Sequence, residues 1–307
     1  MGKVRIKYKK VILDRVITVF LYIMKWVLSY LPRWVSNIFI TILTPVIYLF
    51  MGKHKDICLN NFKYAYGDSK TEAEIKYMMR RSILNISESM IDLLFYLKHL
   101  DKFDAVTRIH NEEYLVEILK KGKGVVATSA HLGNFSLMFV ALARRGYKIN
   151  VVIRPMRNQC LSKFMLNLAD EVNVNMIQTV PQKNFLKETF GVLRNNEVLF
   201  VLLDEVIEEG GVEVDFFGNK VRRAIGPLMF NDRTGAPTLP IITVKDEEGF
   251  LNVHIEREVH LETKFSRDEN AVHSISALTK VIESFVKKYP VQWGGWFNKR
   301  WGAKGKS

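Results

Sequence analysis

Apolar positions fall into three different patterns along the chain, and the changes of pattern divide it. Residues 16–31 (VITVFLYIMKWVLSYL) and 34–52 (WVSNIFITILTPVIYLFMG) are nearly continuous apolar runs, the first broken by Lys25 and the second free of charge. The second approaches the roughly 20 residues needed to span a bilayer, although Ser36, Asn37, Thr41, Thr44 and Pro45 weaken it. The pair predicts an apolar helical N-terminal membrane segment, a membrane-seated helix or hairpin with Trp26, Tyr30, Trp34 and Tyr48 as interfacial anchors. The other reading is a very hydrophobic pair of core helices. From Lys55 to about Leu100 the period becomes helical, with Ile75, Met78, Met79, Ile83, Ile86, Met90, Leu93 and Leu94 three or four apart, and Thr71 with Glu74 forms a capping box.

From residue 108 onward the pattern changes again. Short aliphatic runs, GVVATSA (124–130), INVVI (149–153), EVLFVLLD (197–204) and TLPIITV (238–244), alternate with helical stretches at 135–145 and 183–194. Buried strands separated by helices predict an α/β fold with a mainly parallel sheet flanked by helices. Residues 250–262 alternate with one lapse at Arg257, as an edge or antiparallel strand does, and a last helix is expected at about 270–288. The expected organisation is an N-terminal segment, 1–55, followed by one domain, 56–307. That domain comprises a helical lead-in (56–100), an α/β core (105–290) and an aromatic, basic tail (290–307).

Composition narrows the function classes. A chain of 307 residues that is 48% hydrophobic is too apolar for disorder. Cys58 and Cys160 lie in no CxxC or Cys/His cluster, which argues against a disulfide framework and a metal site, and no cofactor is called for. The net charge of +13 resides in the two ends: ten basic groups in residues 1–55 face Asp14 alone, and residues 299–307 add four without an acid. These basic groups bracket apolar runs instead of a polar, base-reading surface, which argues against nucleic acid and for anionic lipids of the cytoplasmic leaflet.

In open α/β sheets, ligands bind beyond the carboxyl ends of the strands. Three runs end in groups suited to catalysis: His131 after GVVATSA, Arg154 after INVVI, and Asp204 with Glu205 after EVLFVLL. There is no GxSxG elbow and no Walker lysine loop, and Gly122-Lys123-Gly124 precedes a strand instead of following one.

The segment SAHLGNFS (129–136) resembles the lipid A biosynthesis acyltransferase family. Similar stretches follow in order at 60–70 (NNFKYAYGDSK), 153–155 (IRP), 202–205 (LLDE), 210–220 (GGVEVDFFGNK), 226–240 (GPLMFNDRTGAPTLP) and 290–301 (PVQWGGWFNKRW). The resemblance implies a glycerolipid acyltransferase-like α/β sandwich. It also implies acyl transfer from an acyl carrier protein or coenzyme A thioester to a hydroxyl of a membrane glycolipid, such as a lipid A precursor, at the cytoplasmic face of the bacterial inner membrane. His131 matches the family's general base. The acid that follows it by five positions in the family is replaced by Ser136, while Asp204 matches a family acid and Glu205 stands where glutamine is usual. Asp204 or Glu205 is therefore the expected partner of His131. Arg154 resembles an arginine that meets phosphate, and Asn134, Phe216, Phe217, Lys220, Arg222, Arg223 and Arg300 are the further substrate-binding candidates. A salt bridge from Arg154 to Asp204 and a core role for at least one of Trp293, Trp296 and Trp301 are the competing structural readings. Two other functions remain open because of Ser136: a catalytically impaired relative that binds lipid or acts as a scaffold, and a hydrolase with an acyl-serine intermediate.

Overall fold

The computed structural model describes residues 2–156, 158–261 and 267–298. Four helices lead the chain: α1 (Gly2–Tyr30), α2 (Arg33–Phe50), α3 (Lys53–Tyr66) and α4 (Glu72–Lys98). A short α5 (Leu100–Ala105) opens the α/β core. There follow β1 (Thr107–His110), α6 (Glu112–Leu119), β2 (Val125–Ser129), α7 (Phe135–Arg144), β3 (Ile149–Ile153), α8 (Gln159–Asp170), β4 (Val174–Gln178), α9 (Gln182–Arg194) and β5 (Val198–Leu202). A small ribbon of β6 (Val212–Phe216) and β7 (Asn219–Arg223) comes next. Then come α10 (Gly226–Thr234), β8 (Thr238–Lys245), β9 (Leu251–Ile255) and α11 (Arg267–Lys288), and two 3-10 turns, Pro290–Gln292 and Gly294–Phe297.

The main sheet has the order β1-β9-β8-β2-β5-β3-β4. Its centre is parallel, as the unbroken aliphatic runs require when both faces are covered. The β9 strand runs antiparallel to β8 but is not an edge, because β1 pairs with it in parallel from outside. The α7 and α8 helices cover one face and α9 and α10 the other. This follows from right-handed crossovers: β2 to β3 to β4 steps one way across the sheet, and β4 to β5 to β8 steps back. Four short strands were missed from sequence, β1, β4 and the β6–β7 ribbon, because Arg108, Asn175, Glu213, Asp215, Lys220 and Arg222 interrupt any apolar run on strands with one exposed face.

The N-terminal expectation requires correction. Among the described residues no helix is long and apolar enough to cross a membrane, so the apolar membrane segment, and with it a location at the inner membrane through that segment, is not supported. The physical reason is visible in the packing. Both α1 and α2 lean on α4, and α1 also on α8, with Leu28, Ile40 and the polar Ser29 and Ser36 buried there. The Ser29 hydroxyl donates to the Leu94 carbonyl at 2.9 Å, Lys25 pairs with Glu171, and Arg33 pairs with the buried Asp92, which Lys245 reaches from β8 at 3.2 Å. The opposite side leaves Phe20, Trp26, Trp34 and Leu49 exposed. At α4 the capping box is present: the Glu74 N–H donates to the Thr71 hydroxyl at 3.3 Å and the Thr71 N–H to the Glu74 carboxylate at 2.8 Å.

Candidate active site

Because β2 and β5 pair in register, Ser129 opposite Leu202, the residues that follow them emerge side by side. The loop after β2 carries His131, and the loop after β5 carries Asp204 and Glu205. Asp204 is the partner of His131. The His131 Nδ1 lies 2.9 Å from Asp204 Oδ1, and the His131 backbone N–H donates to Oδ2 at 3.0 Å. Trp293 supplies a third donor, its indole N–H reaching Oδ2 at 2.8 Å. Glu205 turns instead to Arg154 at the end of β3, 3.3 Å away, so Arg154 does not bridge to Asp204.

The electrostatics follow from these contacts. Burial opposes ionisation of Asp204, yet the neighbouring imidazole and the hydrogen bonds from His131 and Trp293 outweigh it and hold its pKa at about 2. Burial also disfavours the imidazolium of His131, but attraction and hydrogen bonding to Asp204, with a further contribution from Glu205, set its pKa above the ordinary histidine value. With Asp204 ionised and acceptor-only, the proton of neutral His131 must reside on Nδ1, which leaves the Nε2 lone pair free. The ring is about a third exposed while the Asp204 side chain is almost wholly buried (32% and 1%), so one end of the pair is fixed and the other is accessible.

A second layer holds Asp204. Arg223, at the end of β7, is fully buried and donates from Nη1 to the Asp204 backbone carbonyl. Its guanidinium sits 4.6 Å from the centre of the Phe216 ring, which in turn packs against Trp293 at 5.4 Å. Burial lowers the Arg223 pKa to about 10, opposed by Asp204 and Glu283, so it stays cationic at neutral pH and offsets the buried carboxylate. Residues 131–133 are clamped to the C-terminal turns: the Gly294 N–H donates to the His131 carbonyl at 2.7 Å and the Gly133 N–H to the Gln292 carbonyl at 3.0 Å. Gly133 needs to be glycine twice over, since its φ is +56° and an added Cβ would lie 2.6 Å from the Thr243 carbonyl oxygen.

The other expected substrate-binding residues take these places in the structure. Phe216 and Phe217 are buried beneath the site and line no part of the adjoining cavity; Phe217 packs against Tyr66 and Trp296. Asn134 is the N-cap of α7, accepting from the Leu137 N–H at 3.2 Å and donating to the Ser89 carbonyl at 2.8 Å. Lys220 pairs with Asp215 at 3.0 Å, and Arg222 is exposed on the ribbon. Trp293 and Trp296 are both buried. Arg300, Lys299 and Trp301 lie outside the described residues. Ser136 sits in the first turn of α7 on the cavity wall. Trp293 is the contributor that sequence reasoning missed: only its place in the PVQWGGWFNKRW stretch marked it, and nothing there showed that its N–H would meet Asp204.

Beside His131 opens a cavity of about 520 Å³, lined almost entirely by aliphatic and aromatic side chains, with His131, Arg154 and Glu205 as its charged or ionisable members. A protected His–Asp pair facing an apolar cavity is suited to removing a proton from a hydroxyl beside a bound hydrocarbon chain.

Comparison with known proteins finds related sequences. A sequence model of the family described as bacterial lipid A biosynthesis acyltransferase matches residues 5–303. A phosphatidylinositol mannoside acyltransferase of Mycobacterium tuberculosis is 27% identical over 132 residues, 42% of this chain and 41% of the relative. The protein of the same name from Mycolicibacterium smegmatis is 24% identical over 186 residues, 59% of this chain and 58% of its own. The aligned part thus spans about two fifths to three fifths of these relatives.

Proposed function

The chain belongs to the bacterial lipid A biosynthesis acyltransferase family, and from that premise we propose that it transfers a fatty acyl chain from a thioester donor, acyl carrier protein or coenzyme A, to a hydroxyl of a glycolipid. The observation that carries the reading is the His131–Asp204 pair at 2.9 Å on the wall of an apolar cavity. His131 Nε2 takes the proton of the acceptor hydroxyl as its oxygen attacks the thioester carbonyl. Asp204 holds the ring in the Nδ1–H tautomer and stabilises the imidazolium that forms. Collapse of the tetrahedral intermediate breaks the C–S bond, and the imidazolium returns its proton to the leaving thiolate, giving an ester and a free thiol. Arg154, on the cavity wall and half-exposed, suits a phosphate of donor or acceptor, which would compete with Glu205 for it.

The names of the mycobacterial relatives support a mannoside-bearing lipid as one acceptor class, and the family description supports a lipid A-type glycolipid as the other. The test is mass spectrometry of lipids from cells producing the wild type or His131→Ala at equal levels. A glycolipid heavier by one acyl chain in the wild type alone is the expected result. Identical lipid profiles, together with no acyl transfer from either donor in vitro, would refute the proposal and favour a lipid-binding relative without turnover.

A further inference from the structure

The cavity beside His131 draws its walls from both faces of the sheet. Side chains alternate along a strand, so on β3 Val151 and Ile153 face α7 and α8 while Val152 faces α9 and α10; on β5 Leu202 and Val201 divide in the same way. All five line the one cavity. It therefore bends over the carboxyl ends of β3 and β5 and runs down each face. The first arm is walled by Phe135, Phe139 and Val140 of α7 and Leu168 and Ala169 of α8; the second by Phe185 of α9 and Met229 and Phe230 of α10. His131, Arg154 and Glu205 line the same cavity and follow the carboxyl ends of β2, β3 and β5, which places them between the two sets of walls.

We propose that the arms receive two separate hydrocarbon chains, the donor's acyl chain in the first and a chain already borne by the glycolipid acceptor in the second. The proposal rests on the acyl-transfer reading for the identity of the occupants. A single fatty chain has one polar end and leaves that end at the bend, so it fills one arm only; filling the other as well would mean doubling back past three polar side chains. At about 30 Å³ for a methylene-sized group, near the share of a water in the liquid, the whole cavity encloses roughly 17 such groups. Divided between the arms, this is room for about eight groups of each of two chains. The first arm is assigned to the donor because the reacting carbonyl is the first carbon of its chain, and that arm includes Phe135, whose ring packs edge-to-face with that of His131, their centres 5.0 Å apart. The acceptor's chain is separated from its hydroxyl by a headgroup, which the polar bend accommodates.

The arms are counted with octanoic acid, whose chain matches the capacity of one arm, on the full chain, by native mass spectrometry and equilibrium dialysis, in the absence of any acyl donor. Two molecules are expected on the wild type and one each on Ala169→Phe, which fills the first arm, and Val201→Phe, which fills the second. Melting curves check folding, and Val140→Phe and Val152→Phe serve the same arms if either variant fails to fold. A wild-type count of one, or a count of two that neither filling reduces, would overturn the proposal. The assignment is then read with dodecanoyl- and hexadecanoyl-coenzyme A: Ala169→Phe should shift the donor preference about tenfold toward the shorter chain, and Val201→Phe should leave it unchanged while raising the acceptor KM. The reverse pattern would overturn the assignment. Because the octanoate count needs no turnover, loss of the transferase reading and loss of the two-arm reading are separate results.

Discussion

Replacing Asp204 by asparagine tests the core of the site. The substitution keeps the shape, and its amide oxygen can still face the His131 and Trp293 donors, but it removes the charge. The fall of the Asp204 pKa from an ordinary 3.8 to about 2 is equivalent to about 2 kcal/mol in favour of the ionised carboxyl. The folded-state value lies below the unfolded one, so this stabilisation is present above about pH 3.8 and is lost as the pH falls through about 2. His131 is the reverse case: its folded value lies above the unfolded one, so its contribution is complete below the ordinary histidine pKa and is lost as the pH rises through the folded value. As a base His131 must be neutral, so wild-type kcat/KM should rise with pH along a limb centred above 6.5. In Asp204→Asn burial acts on the ring without its counter-charge, and the limb should move down in pH. The plateau should fall by about 10³- to 10⁴-fold, the scale seen when the carboxylate that orients a catalytic imidazole becomes an amide. The assay is thiol release from acyl-coenzyme A in the presence of glycolipid acceptor, from pH 5 to 9, with urea unfolding at pH 2.5 and 6 alongside. A plateau within tenfold of wild type, or a limb that does not move, would refute the role given to Asp204.

Other expectations follow from single contacts. Trp293→Phe removes one of the donors to a buried carboxylate and should cost about 1–3 kcal/mol in urea unfolding, with activity falling in parallel as Asp204 is less firmly held. Gly133→Ala places a Cβ against the Thr243 carbonyl at a positive φ and should lower stability by about 1–3 kcal/mol, visible as a fall in Tm. Glu205→Gln frees Arg154 from its 3.3 Å ion pair and should lower the KM for an anionic coenzyme A donor several-fold at low salt, an effect that fades as ionic strength rises. Ser136→Ala should leave transfer within a few-fold of wild type, because His131 draws its carboxylate from Asp204. Loss of activity there, with an acyl-serine trapped on the wild type by mass spectrometry, would instead select the hydrolase reading.

The parallel centre of the sheet was legible because burial on both faces demands near-continuous aliphatic runs: INVVI gave β3 at its observed bounds, and TLPIITV gave β8 to within one residue. The ends of those runs led to His131, Arg154, Asp204 and Glu205, since a parallel sheet delivers whatever follows its strands to one side. What sequence could not yield was the choice among them. His131 with Asp204, and Arg154 with Glu205, depend on strand order and on the side to which each loop turns, neither of which leaves a periodicity. The inward placement of Arg223 and Phe216 was not legible for a related reason. A basic, aromatic loop has the composition of a ligand-binding surface, but alternation along a ribbon packed against α11 sends Phe216 and Arg223 inward, with Val214 and Val221, and leaves Lys220 and Arg222 outside. The N-terminal runs misled because apolar content alone does not distinguish a helix buried in lipid from one half-buried against α4.

The position of the carboxylate has a mechanistic consequence. An acid five residues after the histidine would stand on the first turn of α7, at the rim of the cavity. Asp204 instead lies beneath the ring, almost wholly buried and bonded by three N–H groups, with a buried arginine on its own backbone carbonyl. A carboxylate so held keeps its charge when a hydrocarbon chain fills the cavity and expels water, because its stabilising partners are protein groups that the substrate does not displace. Ser136 on the cavity wall then has a simple physical reading: with the charge supplied by Asp204, the α7 side of the cavity needs no carboxylate of its own, and in the proposed reaction an acyl carbonyl approaching His131 past Phe135 meets a small neutral side chain there, while the Glu205 carboxylate is engaged by Arg154.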